Sequence, residues 1–179
     1  MAKCDSYTHT DSLFLQTQKS YEIMIKVQSE DFDLTVEVDK LKQNRDIGAI
    51  VSFTGIVRGG AGDQKITSMV LEHYPGMTER ELSRIEARAR ERWQLLDCLI
   101  IHRHGELFPG DNIVLVVTIS KHRQDAFQAA SYLMDFLKTS APFWKKEKSA
   151  NQEESWVKAK KVDDDATQAW LKTGDNDID

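Results

Sequence analysis

Sulfur chemistry has little to work with in this chain of 179 residues, which holds two cysteines, Cys4 and Cys98. Cys4 lies in a polar stretch and Cys98 in an apolar run. No CxxC or Cys/His cluster accompanies them, so neither a disulfide framework nor a zinc site is expected. Long apolar runs are also lacking. None approaches the roughly 20 residues that span a bilayer, and Leu13-Phe14-Leu15 is too brief for the apolar part of a signal peptide, so a cytoplasmic location is expected. Several common chemistries have no motif here. There is no P-loop pattern of Gly-x4-Gly-Lys-Ser/Thr, no GxSxG around a serine, and no evident pairing of Glu72 with Glu106 of the glycosidase kind. A net charge of −5 argues against a nucleic-acid ligand for the chain as a whole. No internal repeat is visible.

What is present fits one domain. The length exceeds a typical single domain only slightly, and such a chain buries roughly two-thirds of its unfolded surface without staples. The charge is unevenly placed. From Lys138 to Lys161 seven lysines stand against three glutamates, whereas beyond Lys161 six aspartates stand against Lys172 alone. A basic face on an acidic protein suits a small anionic ligand or an acidic partner.

Residues 1–20 are polar and without period, and read as a flexible tail. Strands are expected at Glu22–Val27, Ile47–Val57, Ile66–Tyr74, Cys98–His102 and Ile113–Ser120, the last apolar on both sides and therefore central. A short helix capped by Asp33 or Thr35 spans Val36 to about Gln43, with Leu34, Val38 and Leu41 apolar. Pro75-Gly76 makes a turn. The Thr78-x-x-Glu81 pattern reads as a capping box for a helix whose inner stripe is Leu82, Ile85, Ala89 and Trp93, with Glu86 and Arg90 paired on its outer face. A second long helix runs from about His122 to Thr139, its apolar face formed by Ala126, Phe127, Ala130, Leu133, Met134 and Leu137. Pro142 disfavours helix at the residue before it, so this helix stops near Ser140. A loop follows, then an edge strand around Trp156 (Glu154 to Lys161) and a last helix capped by Asp163. The elements alternate only loosely and several strands pair as hairpins, which gives the class α+β.

The candidate chemistry is cationic and sits at element ends. Lys138 falls on the last turn of the long helix, where cations are favoured by the carbonyl dipole. Lys145 follows on the loop, able to fold back toward it. Phe143 and Trp144 between them would dry such a site and lower a lysine's pKa toward nucleophile or base. Ordinary solvated lysines with two core aromatics account for the same stretch. Arg58 ends a buried strand and opens the Gly59-Gly60-Ala61-Gly62 loop, a setting for anion binding or a plain hairpin loop. His122 and Arg123 open the long helix, where a cationic pair opposes the dipole unless an anion lies between them. His102 and His104 share a strand face, but no third ligand of a metal is evident, so no metal is expected. Physics alone stops at a small phosphorylated ligand with a lysine as possible catalyst.

Five blocks, taken together, are more specific. Phe53-Thr54-Gly55-Ile56-Val57-Arg58, Leu71-Glu72-His73-Tyr74-Pro75-Gly76-Met77, His102-Arg103-His104-Gly105-Glu106-Leu107, His122-Arg123, and Tyr132 to Lys145 resemble, in order, the large catalytic subunit of molybdopterin synthase, the MoaE family. The resemblance covers about Ile47 to Trp170. It implies an α/β-hammerhead-type core with an additional antiparallel β subdomain. It also implies a homodimer within a heterotetramer, each end binding a small ubiquitin-like sulfur-carrier subunit. The carrier's thiocarboxylated Gly-Gly tail threads into the large subunit's pocket. Two such sulfurs convert cyclic pyranopterin monophosphate into the dithiolene of molybdopterin, and no cofactor is required. A chain without a cysteine placed to carry sulfur fits that division of labour.

Carried over by motif, Lys138 and Lys145 match the family's essential lysines. Lys146 and Glu147 accompany Lys145 in orienting substrate. Ile56, Val57 and Arg58, and His122 with Arg123, match substrate-anion contacts, the His-Arg pair reaching across the dimer. Phe53 and Met134 line the pocket. Ser140 stands where the family often has arginine, and Lys160 stands where an arginine often binds substrate, which keeps the charge but loses the bidentate fork. The implied layout is a tail over 1–20, one catalytic domain over 21–172 and an acidic tail over 173–179. A non-catalytic module that docks a ubiquitin-like protein or a phosphorylated ligand is the competing reading.

Overall fold

A computed structural model describes residues 24–42, 46–60, 65–149, 151, 154–157 and 161–173. In chain order these form β1 (Met24–Gln28), α1 (Leu34–Leu41), β2 (Ala49–Ile56), β3 (Ile66–His73), α2 (Met77–Arg92), β4 (Leu95–Arg103), β5 (Gly105–Leu107), β6 (Asn112–Ser120), α3 (Arg123–Thr139), β7 (Phe143–Ser149), β8 (Glu154–Trp156) and α4 (Lys161–Thr173). The tail over 1–20, Lys160 and most of the acidic end lie outside the described residues. No helix among those described is long and apolar enough to cross a membrane.

The strands make two sheets, ordered β1-β4-β6-β2 and β5-β3-β7-β8. In the first, only β1 and β4 run parallel. β4 and β6 pair centrally, Leu99 opposite Val117 and Ile100 opposite Val116. Their near-continuous apolar runs follow from burial on both faces. Cys98, Ile100, Val114 and Val116 face α2 and α3, packing on Leu82, Ile85, Ala89, Ala129, Leu133 and Phe136. Leu99, Ile101, Leu115, Val117 and Ile119 face the other way, against Phe32 and Leu41. The second sheet is antiparallel throughout and closes a smaller core of Val57, Met69, Leu71 and Leu107. The fold is thus α+β, with a helix-backed mixed sheet and a separate antiparallel sheet.

Several expectations change. First, α2 starts at Met77, because Gly76 (φ 78°) lets the Pro75-Gly76 turn feed directly into the helix. Glu79 Oε2 then accepts from the Gly76 N–H at 2.6 Å, in place of Glu81, and Thr78 is buried in the first turn. Second, Glu86 and Arg90 do pair, but inward: Glu86 is 1% exposed against β4. Third, Phe127 is 63% exposed. The buried stripe of α3 runs through Ala126, Ala129, Ala130, Leu133 and Phe136, and Phe127 falls on its outer flank with Ser131. Fourth, residues 143–149 form β7, not a loop. Their Lys- and Glu-rich sequence hides the strand, which β3 templates along nearly its whole length. The edge strand β8 is correspondingly short, and α4 begins at Lys161, so Asp163 lies within its first turn and does not cap it.

The inward ion pair generates a stability expectation. Replacing Arg90 with leucine leaves Glu86 charged and buried without its partner, and should lower unfolding free energy by roughly 3–5 kcal/mol in a urea titration. A loss below about 1 kcal/mol would mean that the pair is not desolvated as the fold places it.

Candidate functional site

Apart from Arg58 and Lys160, the cations that the sequence singles out fall into three places. At the α3 N-terminus, His122 is the N-cap residue and makes no side-chain capping bond. It, Lys121, Arg123, Gln124, Phe127 and Gly48 line an open depression of about 690 Å³. Gly48 is required there, since a Cβ would lie 2.1 Å from the Lys121 carbonyl oxygen. Its N–H donates to the Ser120 carbonyl at 3.1 Å, tying the start of β2 to the entry of α3. Lys121 lies 3.6 Å from Asp46. Free N–H groups, the helix dipole and three basic side chains make this an anion-receptive surface. Gly48 escaped the motif reading because only the backbone approach brings it to the start of α3, and Lys121, Gln124 and Phe127 because they lie outside the His122-Arg123 block.

At the other end of α3, helix ends at Ser140 as the Pro142 argument requires. Lys138 on the last turn is half exposed and 3.5 Å from Asp163 of α4. The helix α4 is held there by Trp170 Nε1 donating to Asp135 Oδ2 at 2.8 Å and by the Thr139–Thr167 hydroxyl contact at 2.9 Å. The expected drying of Lys138 by Phe143 and Trp144 is not seen within one chain. Phe143 turns toward His102, Trp144 is exposed, and an aspartate supplies the immediate partner.

The third place is β7. Strand alternation puts Phe143, Lys145 and Glu147 on one face and Trp144 and Lys146 on the other. Lys146 bonds Glu154 at 2.6 Å and lies over the Trp156 ring, 5.5 Å from its centroid. That hydrogen bond holds Lys146 above the usual lysine range and Glu154 below the usual carboxylate range. The fold therefore separates Lys146 from Lys145, although they are neighbours in sequence. On the Lys145 face lies a group of histidines, two of which the sequence placed on a shared strand face without a metal. His102 is buried, and its ring stacks on Phe143 at 3.7 Å and 15°. His73 lies 4.6 Å from His104, ring to ring. Burial pushes the His102 pKa down to about 4, and Lys145, His73 and His104 all lie close enough to oppose its protonation further. Burial likewise lowers His73. Among the described residues no group of three or more His, Cys, Asp or Glu is placed to hold a metal ion.

The remaining residues frame these places. Arg58 is exposed just past β2, whose end is clamped by Val57 N–H donating to the Asp111 carbonyl (2.9 Å) and Gly110 N–H to that of Val57 (3.0 Å). Phe53 and Ile56 are exposed on β2, an edge strand, while Met134 packs against the helix-side core. Cys98 is buried, and burial followed by Glu86 raises its thiol pKa far above the usual range, so it offers no thiolate. An α-helix rises about 1.5 Å per residue, so α3 holds His122 roughly 24 Å from Lys138. One copy cannot bring both to the same small molecule.

A family model described as MoaE protein matches residues 27–140. Proteins named molybdopterin synthase catalytic subunit from Mesorhizobium japonicum (49% identical) and Rhizobium meliloti (50% identical) each align over 84% of this chain and cover 95% and 97% of their own lengths. Among solved structures, a molybdopterin biosynthesis MoaE protein from Burkholderia ambifaria is 47% identical with a TM-score of 0.70, over 83% of this chain and 97% of its own. A molybdopterin synthase from Staphylococcus aureus is 32% identical with a TM-score of 0.69, over 74% and 96%.

The buried imidazole sets a pH dependence. His102 has a folded pKa of about 4 against an ordinary 6.5, so between those values the unfolded chain binds a proton that the folded chain refuses. Stability from this group is full above pH 6.5 and falls as pH drops toward 4, by about 3 kcal/mol in all. Urea midpoints of wild type and His102→Gln, taken from pH 8 to pH 4, should converge as pH falls; parallel curves would contradict a neutral buried ring.

Proposed function

The chain belongs to the MoaE family of molybdopterin synthase catalytic subunits, and from that premise we propose how its residues transfer sulfur to build the dithiolene of molybdopterin. The observation that carries the reading is identity near one half over almost the full length of the relatives, spanning the five blocks that contain the cationic groups. Chemistry agrees with it. Cys98, the one cysteine among the described residues, is buried and held as a thiol, which fits sulfur arriving on another molecule. The carrier in this proposal is a small ubiquitin-like subunit whose C-terminal Gly-Gly thiocarboxylate enters beside Lys138. The acceptor is cyclic pyranopterin monophosphate, and two carriers supply two sulfurs.

Lys138 acts at the thiocarboxylate carbonyl, by direct attack or by moving a proton around it. In direct attack its amine forms the C–N bond as the C–S bond breaks, and the sulfur leaves as hydrosulfide to attack the acceptor. In the proton-moving route the thiocarboxylate sulfur itself attacks the acceptor, and water then cleaves the C–S bond to the carrier. It must first exchange its Asp163 contact for the incoming tail, and its half-exposed position leaves room for that. Lys145, on the inner face of β7 with Glu147, orients the acceptor. Arg58 at the end of β2, held in place by the clamped Val57 backbone next to Ile56, and His122 with Arg123 at the α3 N-terminus, neutralise the phosphate and other anionic groups. Lys146 adds to the basic rim, and Phe53 and Met134 border the pocket. The length of α3 supports a homodimer in which His122 and Arg123 of one copy serve Lys138 of the other, since no single copy spans the gap. One catalytic domain over 21–172 contains all these groups. A docking module without catalysis would bind carrier and precursor and make no product.

Purified chain, thiocarboxylated carrier and precursor should yield product fluorescence. Lys138→Ala should lower the rate by at least about 100-fold, the scale of losing a covalent or proton-transfer group, while carrier affinity and thermal midpoint stay put. Normal product formation by Lys138→Ala would remove the catalytic assignment. Carrier binding by wild type without any turnover would favour the docking module.

A further inference from the structure

Lys145 does not stand alone on its face of β7. Phe143, two residues earlier, points the same way, and the His102 ring lies flat on it, 3.7 Å between centroids. His102 comes from the other sheet, at the end of β4, so this stack is a contact between the two sheets, one same-face position before Lys145 on β7. The ring is fixed on its second side too: His102 Nδ1 lies 2.9 Å from the Arg103 carbonyl oxygen, to which it donates as Nδ1–H. Arg103 is itself anchored, its guanidinium donating to the carbonyls of Ser29 and Asn112 at 3.1 and 3.0 Å. With Nδ1 committed as donor, Nε2 is left as the acceptor. The groups near enough for their charge to act on the ring are Lys145 from β7, His73 from β3 and His104 from the turn after β4.

We propose that His102 is a positioning residue for Lys145: its uncharged ring, locked between the Arg103 carbonyl and Phe143, forms a fixed polar wall beside the amine and sets where the amine lies. The proposal rests on the reading of Lys145 as part of the sulfur-transfer site. A rigid wall matters because a long lysine side chain has many rotamers, and only some place its amine usefully. A charged wall would repel the ammonium, and an apolar wall would give its donors nothing to face. Burial of the ring keeps it neutral, so the wall is the same throughout the physiological range.

The test uses the full chain with thiocarboxylated carrier and precursor. His102→Phe keeps a flat ring on Phe143 and removes both nitrogens. Its kcat should fall roughly 10–100-fold, the cost of misplacing a catalytic group by about 1 Å, with carrier affinity unchanged. The loss should disappear in a Lys145→Arg background, the double variant being no slower than Lys145→Arg alone. A wild-type kcat in His102→Phe while Lys145→Ala is inactive, or losses that multiply in the double variant, would overturn the positioning role and leave the Lys145 assignment standing. Full activity in Lys145→Ala would remove both. A second measurement needs no change at His102. Imidazole 15N spectra of wild type at neutral pH should show the Nδ1–H tautomer for His102, and its Nε2 resonance should move on Lys145→Ala. A resonance indifferent to that substitution would overturn the proposal even if His102→Phe did not fold.

Discussion

The length of α3 is the constraint on which the rest of the molecule depends. Its 17 residues form one uninterrupted helix seated on the central strands. Thr118 of β6 donates its hydroxyl to the Ala126 carbonyl at 2.7 Å in the buried interior, and the alanines beside it allow close approach. Such a helix can neither bend nor shorten without breaking that packing. It therefore acts as a ruler, with an anion-receptive N-terminus at one end and Lys138 at the other. A site that needs both must be completed by a second copy, and the exposed apolar groups on β2, Phe53 and Ile56, lie on an edge strand able to meet one.

The second constraint is the two-residue period of β7. Consecutive lysines in the sequence become lysines on opposite faces of a sheet. Lys146 is committed outward to Glu154 and Trp156, whereas Lys145 is turned inward among Phe143, Leu71 and the histidines. One strand thus sorts a basic run into an outward ion pair and a half-buried amine on the opposite face. The end of α3 performs a similar sorting, because Pro142 stops the helix one turn after Lys138 and sends the chain directly into β7. The two lysines are joined by a short rigid connection and not by a mobile loop.

Much of this was legible in the residues. Apolar runs at β4 and β6, the helical period of α2 and α3, the Pro142 stop and the Pro75-Gly76 turn all follow from local rules and reappear in the fold. What escaped depends on tertiary contacts. β7 has a polar, lysine-rich sequence and is a strand because β3 pairs with it. Glu86 reads as a surface acid, yet it is buried with Arg90 where α2 meets β4. Asp163 reads as a cap, but α4 begins two residues earlier and turns it toward Lys138. At the candidate site, Lys138, Lys145, Arg58, His122 and Arg123 were visible as cations at element ends. The involvement of His102 was not, because nothing local says that the end of β4 lies against β7.

The central claim is that groups at opposite ends of α3 act together only across two copies. Co-expression of Lys138→Ala and Arg123→Ala chains bearing different tags, followed by isolation of the mixed dimer, tests it most directly. In a mixed dimer one site loses both groups and the other keeps both, so two inactive parents should give about half the wild-type turnover per dimer. If the mixed dimer is as inactive as its parents, Lys138 and Arg123 belong to one copy's site or to separate functions, and the account built on the helix length is contradicted.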